Sequence, residues 1–241
     1  VHDYVPNTKE KLISRGRLYA VISTQALETE SLYPNDKYRL EIGREILARL
    51  HEEYNGQKGG GAFNVLDNAV SRVAGEFTSR QLNVEIGACA FLADNLLGAC
   101  ANGAVLLVLR AGHLVPLITT QRGNHLSVSG KLNAGDKIVI GTQQLLHTLS
   151  EGILKGALET DGLERFSEII TPKILNSISA SSTAVLVIEV QEETGQSYQT
   201  AHESSLKRKT PEIRATLVRV IDALLAKLPD SRLKVRPDTI D

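Results

Sequence analysis

Apolar and polar residues follow two different periods along the chain, and the change of period separates helical from extended parts. Between residues 38 and 77, apolar side chains recur every three or four positions. This spacing predicts two amphipathic helices separated by the glycine-rich stretch "GQKGGGA". From residue 84 to 141, short apolar runs alternate with turn residues, which predicts a meander of antiparallel strands. Helices and strands are therefore grouped along the sequence, as in an α+β fold.

Further elements complete this plan on both sides of the meander. Residues 17–22 are interpreted as a first strand, helices are expected at 143–159 and 162–178, and a nearly continuous apolar run predicts a last, buried strand at 183–190. The meander itself consists of five runs, at 84–92, 96–100, 104–109, 114–118 and 137–141. Two-residue hairpin turns are expected at Asp94-Asn95 and at Ala111-Gly112.

The C-terminal part of the chain follows a different pattern. Residues 191–209 are polar and lack an apolar period, which predicts a linker. Thr210-Pro211-Glu212 is typical of a helix start, because a hydroxyl caps the first turn and proline is tolerated there. The helix expected within 210–241 carries an apolar stripe of Ile213, Leu217, Ile221, Leu224 and Leu228. Because such a stripe needs a covering surface, we expect the helix to dock on the domain, bind a protein partner or pair with a second copy.

Composition narrows the function classes. The 241 residues carry a net charge of −1, so the chain has no basic field and no nucleic-acid partner is expected. No apolar run is long enough to cross a membrane, and no signal peptide is visible. We therefore expect a cytoplasmic protein or the soluble part of a larger protein. The chain contains no Met, which indicates a processed or excised chain.

The cysteines and histidines show no spacing typical of a metal site. With a turn at Asp94-Asn95, Cys89 and Cys100 would lie directly opposite each other, at a Cβ separation of about 4.5–5.5 Å. That separation is slightly long for a disulfide, so the two residues are interpreted as small buried apolar side chains, with a disulfide or redox pair as the alternative. The six histidines are widely spaced, which favours surface positions over a zinc cluster.

Four stretches within residues 1–190 resemble segments of a known family. They are "RLYAVISTQ", "ACANGAVLLVLRAGHLVPL", "LNAGDKIVIGTQQLLHTLSE" and "SSTAVLVIEV". In this order they resemble the metal-dependent protein phosphatases, the protein phosphatase 2C-like or PPM-type family. Positions that fit the family pattern are Arg110, Gly112, Leu132, Gly135, Asp136, Thr142 and Leu145. The resemblance implies a four-layer αββα sandwich over residues 1–190, followed by the 191–209 linker and the helix and tail of 210–241.

The departures from the family fall on its metal site. The family carries metal-binding aspartates after the first strand, in a Ser/Thr-Asp-Gly-Leu segment, and before the last strand. By this resemblance, those places are taken here by Ser23 with Thr24, Gln143 with Gln144, and Ser181 with Ser182. Asp3 corresponds to one member of an acidic pair that the family carries near the first strand.

The substitutions predict loss of metal chemistry. Two adjacent metal ions require several anionic oxygens, because carboxylates offset the repulsion between the dications. Ser23, Gln143 and Ser181 supply two hydroxyls and one amide instead. We therefore expect a pseudophosphatase: a catalytically inactive domain without cofactor that acts as a binding, regulatory or scaffold module. Two alternatives stay open, an active serine/threonine phosphatase that uses manganese or magnesium with atypical ligands, and an unrelated α+β binding domain.

Overall fold

The computed structural model describes residues 2–4, 9–26, 36–57, 59–177, 183–191 and 212–216. They form two antiparallel sheets with helices on both outer faces. In chain order the elements are β1 (His2–Tyr4), α1 (Lys9–Arg15), β2 (Arg17–Ala26), α2 (Asp36–Gly56), α3 (Ala62–Ser79), β3 (Leu82–Leu92), β4 (Asn95–Ala101), β5 (Val105–Arg110), β6 (His113–Thr119), β7 (His125–Lys131), β8 (Lys137–Gly141), α4 (Gln143–Thr148), α5 (Glu151–Leu158), α6 (Leu163–Leu175), β9 (Val185–Gln191) and β10 (Glu212–Thr216).

Each sheet contains five of the described strands. The first sheet has the order β1-β2-β3-β4-β7, and the second has the order β10-β9-β8-β5-β6. The chain therefore passes from one sheet to the other after β4, after β6 and after β7. These crossings bring the β4–β5 turn and the end of β8 to the same end of the sandwich as the end of β2 and the start of β3.

Three apolar cores lie between the four layers. Leu66 and Phe77 of α3 are fully buried against the first sheet. Leu106 and Ile138 are fully buried between the two sheets. Phe166 of α6, 1% exposed, belongs to the core between the second sheet and its helices. This layering confirms the expected α+β class and the four-layer αββα sandwich.

Glycines in β3 and β4 set the distance between the two sheets. A Cβ added to Gly87 would lie 2.6 Å from Ile140 Cγ2, and one added to Gly98 would lie 2.3 Å from Leu106 Cδ2. Both distances are well inside van der Waals contact, so a side chain at either position would push the sheets apart or displace the facing residue. The close approach of the sheets therefore depends on glycine at these two places.

An ion pair between a buried carboxylate and a partly exposed arginine fixes the connection from β7 to β8. Arg110 donates from Nε to Asp136 Oδ1 at 2.9 Å and from Nη2 to Asp136 Oδ2 at 2.6 Å. The same carboxylate accepts a hydrogen bond from the Asn133 N–H at 2.7 Å. Because Asp136 is 1% exposed, its charge depends on these partners. Two residues that fit the phosphatase pattern, Arg110 and Asp136, thus have a structural role.

The predicted strands of the meander are confirmed, with one error of register. The Ala111-Gly112 hairpin is confirmed, since Arg110 pairs with His113. The turn expected at Asp94-Asn95 is wrong by one residue, because Leu92 pairs with Asn95. As a result Cys89 pairs with Gly98 and Cys100 pairs with Gly87, so the cysteines are diagonal rather than directly opposed. Both cysteines are buried free thiols.

Two further elements differ from the prediction. The single helix expected at 143–159 is divided into α4 and α5, because Leu149 has an extended backbone and Ser150 caps α5 by accepting a hydrogen bond from the Ile153 N–H. Strand β7 is missing from the prediction, because all its residues are half-buried or exposed and form no apolar run. Among the helices that the structure describes, none is long and apolar enough to cross a membrane.

The expected C-terminal helix is wrong over Glu212–Thr216, which forms strand β10. This strand pairs antiparallel with β9, with Ile213 opposite Val190 and Ala215 opposite Ile188. Pairing with the edge of β9 supplies a full ladder of backbone hydrogen bonds, and this tertiary gain outweighs the local helix signal at Thr210-Pro211. The remaining stripe residues, Leu217, Ile221, Leu224 and Leu228, lie outside the described residues, as does the linker beyond Gln191.

We expect Gly87→Ala to lower the free energy of unfolding by about 1–3 kcal/mol, because its methyl group would overlap Ile140 between the sheets. The matched control is Gly130→Ala on β7, where an added Cβ meets nothing within 4 Å and the stability should change by no more than about 0.5 kcal/mol. Urea denaturation of both variants measures the difference. Equal stability of the two variants would contradict the close packing described above.

Candidate functional site

The ends of β2 and β8, the start of β3 and the β4–β5 turn meet at one place, the strand-end corner. It contains Ser23 on β2, Glu85 on β3, Gly103 in the turn and Gln143 at the start of α4. Ser23 and Glu85 are directly opposite in the β2–β3 pairing. A Cβ built on Gly103 would lie 3.0 Å from Gln143 Oε1 and 3.4 Å from Glu85 Cδ, so these two side chains meet over the glycine.

Glu85 supplies a carboxylate at this corner. Glu85 is 5% exposed, and its Oε2 accepts a hydrogen bond from the Gln143 N–H at 3.0 Å. Desolvation by burial raises the pKa of the Glu85 carboxyl above its usual range, and the hydrogen bond from Gln143 offsets part of that rise. Among the described residues, one backbone amide and no cationic side chain contacts the Glu85 carboxylate.

The β4–β5 turn forms a fixed side of the corner. Asn102 Nδ2 donates to the Val84 carbonyl at 3.0 Å, and the Gly103 N–H donates to Thr120 Oγ1 at 3.0 Å. Gly103 has a φ of 114°, a backbone conformation that residues other than glycine rarely adopt. The turn therefore holds its position through polar contacts to β3 and to the end of β6, and leaves room for Gln143 and Glu85.

Thr142 links the end of β8 to the residues that precede β9. Its N–H donates to the Ala184 carbonyl at 3.1 Å, and its Oγ1 accepts from the Ala184 N–H at 3.2 Å. Thr142 is 1% exposed and Thr183 is 5% exposed, so this junction is buried. The backbone that follows residue 182 thus lies beside the corner.

The structure brings together two of the predicted positions. Ser23, which is 9% exposed, and Gln143 both adjoin Glu85. Thr24 is opposite Val84 on the next position of β2, and Gln144 is the second residue of α4.

Two parts of the prediction are not tested at the corner. Asp3 is opposite Tyr19 in the β1–β2 pairing, four residues along β2 from Ser23, or about 13 Å at the usual rise of a strand. Its backbone is therefore well separated from the corner. Ser181 and Ser182 lie outside the described residues, so their predicted convergence with Ser23 and Gln143 stays a prediction.

Sequence reasoning missed Glu85. The run 84–92 was interpreted as one apolar strand, although it carries a carboxylate at its second position. The sequence signal is the alternation of side chains between the two faces of a strand. Cys89 and Phe91 belong to the core between the sheets, and Glu85 is an even number of residues away from both, so it lies on the same face. An acidic residue on an interior face is uncommon, and its pairing with Ser23 required the register of β2.

The donor set of the corner does not fit two divalent ions. Within the described residues, no group of three or more His, Cys, Asp or Glu side chains is close enough to hold a metal ion. Glu85 offers one carboxylate, while Ser23 and Gln143 offer a hydroxyl and an amide. Mg²⁺ and Mn²⁺ favour several carboxylate oxygens, and two adjacent dications need more negative charge than one side chain provides.

Comparison with known proteins gives structural matches. No protein-family model and no curated protein matches the chain. The serine/threonine phosphatase PstP/Ppp of Mycobacterium tuberculosis is similar over 70% of this chain and 86% of its own, with a TM-score of 0.53 and 14% identity. The PPM Ser-Thr phosphatase MsPP of Mycobacterium smegmatis, solved with cacodylate, is similar over 71% and 87%, with a TM-score of 0.51 and 13% identity. The PstP catalytic domain solved with two manganese ions is similar over 70% and 96%, with a TM-score of 0.51 and 12% identity.

These likenesses establish the class of fold. The chain is a four-layer αββα sandwich with two antiparallel sheets. That sandwich is the fold of the PPM-type, or protein phosphatase 2C-type, serine/threonine phosphatases. The resemblance read from the four sequence stretches is therefore supported at the level of the fold.

We expect Glu85→Gln to remove a pH-dependent penalty on folding. The raised pKa means that the folded chain binds the Glu85 proton more tightly than the unfolded chain, whose pKa is about 4.3. Wild-type stability from this group is therefore lost as the pH rises from about 4 through the folded-state pKa. The variant keeps an oxygen for the Gln143 N–H, so its stability relative to wild type should increase from about pH 4 to pH 7. Urea denaturation across that range measures the difference, and a decreasing difference would contradict the burial effect.

Proposed function

We propose that this domain is a catalytically inactive phosphatase-like module that acts by binding, in a regulatory or scaffold role. The observation that carries the proposal is the composition of the strand-end corner, where Ser23, Glu85 and Gln143 occupy the end of the sandwich. One carboxylate cannot balance two dications, and a bridging hydroxide between two metal ions is what activates water in two-metal hydrolysis.

The environment of Glu85 adds a second argument. Burial disfavours its charged form, and its Oε2 already accepts the Gln143 N–H. A metal ligand needs a carboxylate that is ionised and free to turn an oxygen toward the ion. One oxygen of the single carboxylate at this corner is therefore already used by the backbone, which suits a structural end of the sandwich better than a hydrolytic centre.

The alternative is an active phosphatase that uses manganese or magnesium with atypical ligands. The presence of Glu85, which adds an acidic oxygen where sequence alone indicated none, is the observation in its favour. The two candidates differ in a measurable way, because an active enzyme must bind the metal ion at concentrations that support turnover.

We expect the wild-type chain to show no manganese-dependent hydrolysis of p-nitrophenyl phosphate and no calorimetric binding of millimolar Mn²⁺. The double variant Ser23→Asp with Gln143→Asp places two carboxylates beside Glu85, and we expect it to gain Mn²⁺ binding. The control, Ser129→Asp with Asn176→Asp, adds the same charge on exposed positions of β7 and at the end of α6. Manganese-dependent turnover by the wild-type chain that Gln143→Ala abolishes would contradict the proposal.

We also propose that the apolar stripe after β10 provides a binding surface for a protein partner or a second copy. Its sequence basis is the helical spacing of Leu217, Ile221, Leu224 and Leu228. The boundary for a test follows from β10, because a deletion that removes Glu212–Thr216 would also remove a strand of the second sheet.

We expect a chain ending at Thr216 to keep the fold and to lose self-association. Light scattering after size-exclusion chromatography gives the molar mass, and thermal unfolding checks the fold. The matched variant is the full chain with serine at Leu217, Ile221, Leu224 and Leu228. If the full chain and both variants all have the molar mass of a monomer, self-association through this segment is ruled out.

A further inference from the structure

A groove of about 560 Å³ lies between α3 and the β6–β7 loop. Its wall on α3 is made of small residues, with Gly75 and Thr78 among them, and the opposite wall includes Arg122 and Asn124. The residues lining it include Asn102 of the β4–β5 turn but not Ser23, Glu85, Gly103 or Gln143, so the groove adjoins the strand-end corner without containing these four residues.

The loop that carries Arg122 is held in one conformation. The Asn124 N–H donates to the Gln121 carbonyl at 3.0 Å, which closes a tight turn with Arg122 and Gly123 at its centre. Gly123 has a φ of 82°, as the third position of a type II turn requires. The Gly123 N–H donates to Asn102 Oδ1 at 3.0 Å, and the Asn102 N–H donates to the Asn124 carbonyl at 2.9 Å. The guanidinium of Arg122 is thus carried on a backbone that is fixed to the sheet.

Two side chains of the groove, those of Asn83 and Arg122, have no hydrogen-bond or ion-pair partner among the described residues. Asn83 is 9% exposed and lines the groove, yet its carboxamide forms no hydrogen bond with another described residue. The N–H donors of this carboxamide are therefore available to a ligand. Arg122 likewise forms no ion pair with the described residues.

The charge of the groove favours an anion. None of the described residues that line it is acidic. His125, at one end, has its Nε2 3.0 Å from Asp67 Oδ1, so the Asp67 carboxylate lies beside an imidazole rather than beside Arg122. Arginine and amide donors are the groups that bind phosphate oxygens in proteins.

We propose that this groove binds a phosphorylated side chain of a partner protein, with Arg122 and Asn83 donating to the phosphate. The volume of the groove exceeds that of a phosphate ion, and the small residues of the α3 wall leave space for the peptide that bears it. The proposal does not depend on whether the strand-end corner hydrolyses phosphate, because Ser23, Glu85 and Gln143 do not line the groove.

The test is calorimetry on the full chain with three probes. They are a short alanine-flanked phosphoserine peptide, the same peptide without phosphate, and inorganic phosphate. We expect the phosphopeptide to bind and the unphosphorylated peptide not to bind. Arg122→Ala should weaken phosphopeptide binding by about tenfold or more, as expected for loss of a charge-assisted pair. Arg165→Ala, at an exposed position of α6, is the matched control and should bind as wild type.

A second variant blocks the groove without weakening the fold. A Cβ added to Gly75 meets nothing within 4 Å, and leucine is a better helix former than glycine. Gly75→Leu should therefore abolish phosphopeptide binding while its thermal midpoint stays the same or rises.

Three results would overturn the proposal. They are no binding of the phosphopeptide by the wild-type chain, unchanged binding by Arg122→Ala and Gly75→Leu, and equal binding of phosphorylated and unphosphorylated peptides. Inorganic phosphate that binds as tightly as the phosphopeptide would overturn the assignment of a protein partner, because the peptide would then add nothing.

Discussion

The close contact between the two sheets is the constraint on which the rest of the structure depends. Gly87 and Gly98 have no side chains, so Ile140 and Leu106 of the second sheet reach the backbone of the first. This contact sets the distance between the β4–β5 turn and β8. At that distance Glu85, whose side chain lies close to Gly103, accepts a hydrogen bond from the Gln143 N–H. The corner is thus a product of sheet packing rather than of a local motif.

The polar groups described here differ between the scaffold, which an ion pair holds, and the strand-end corner, where two of the side chains are neutral. Arg110 and Asp136 form a bidentate pair that closes the β7–β8 connection, and such a pair is destabilising to break from one side. At the strand-end corner, by contrast, Ser23 and Gln143 are neutral.

Much of the fold could be predicted from sequence because its signals are local. The helical spacing of α3 and the apolar runs of β5 and β8 lie within single elements, and the Ala111-Gly112 hairpin is indicated by a glycine, which tolerates positive φ. What failed depends on contacts far apart in the chain. β10 exists because β9 offers an edge, and Glu85 belongs to the site because β2 pairs with β3 in one register.

Segments near both ends of the chain close the same side of the sandwich. β1 pairs with the outer edge of β2, and β10 pairs with the outer edge of β9. An open strand edge presents a row of backbone donors and acceptors that can pair with another molecule. By pairing with these edges, the two short outer strands reduce the length of β2 and β9 that is open to another molecule. A protease that removed either one would expose a template for the assembly of further chains while leaving the interior of the sandwich in place.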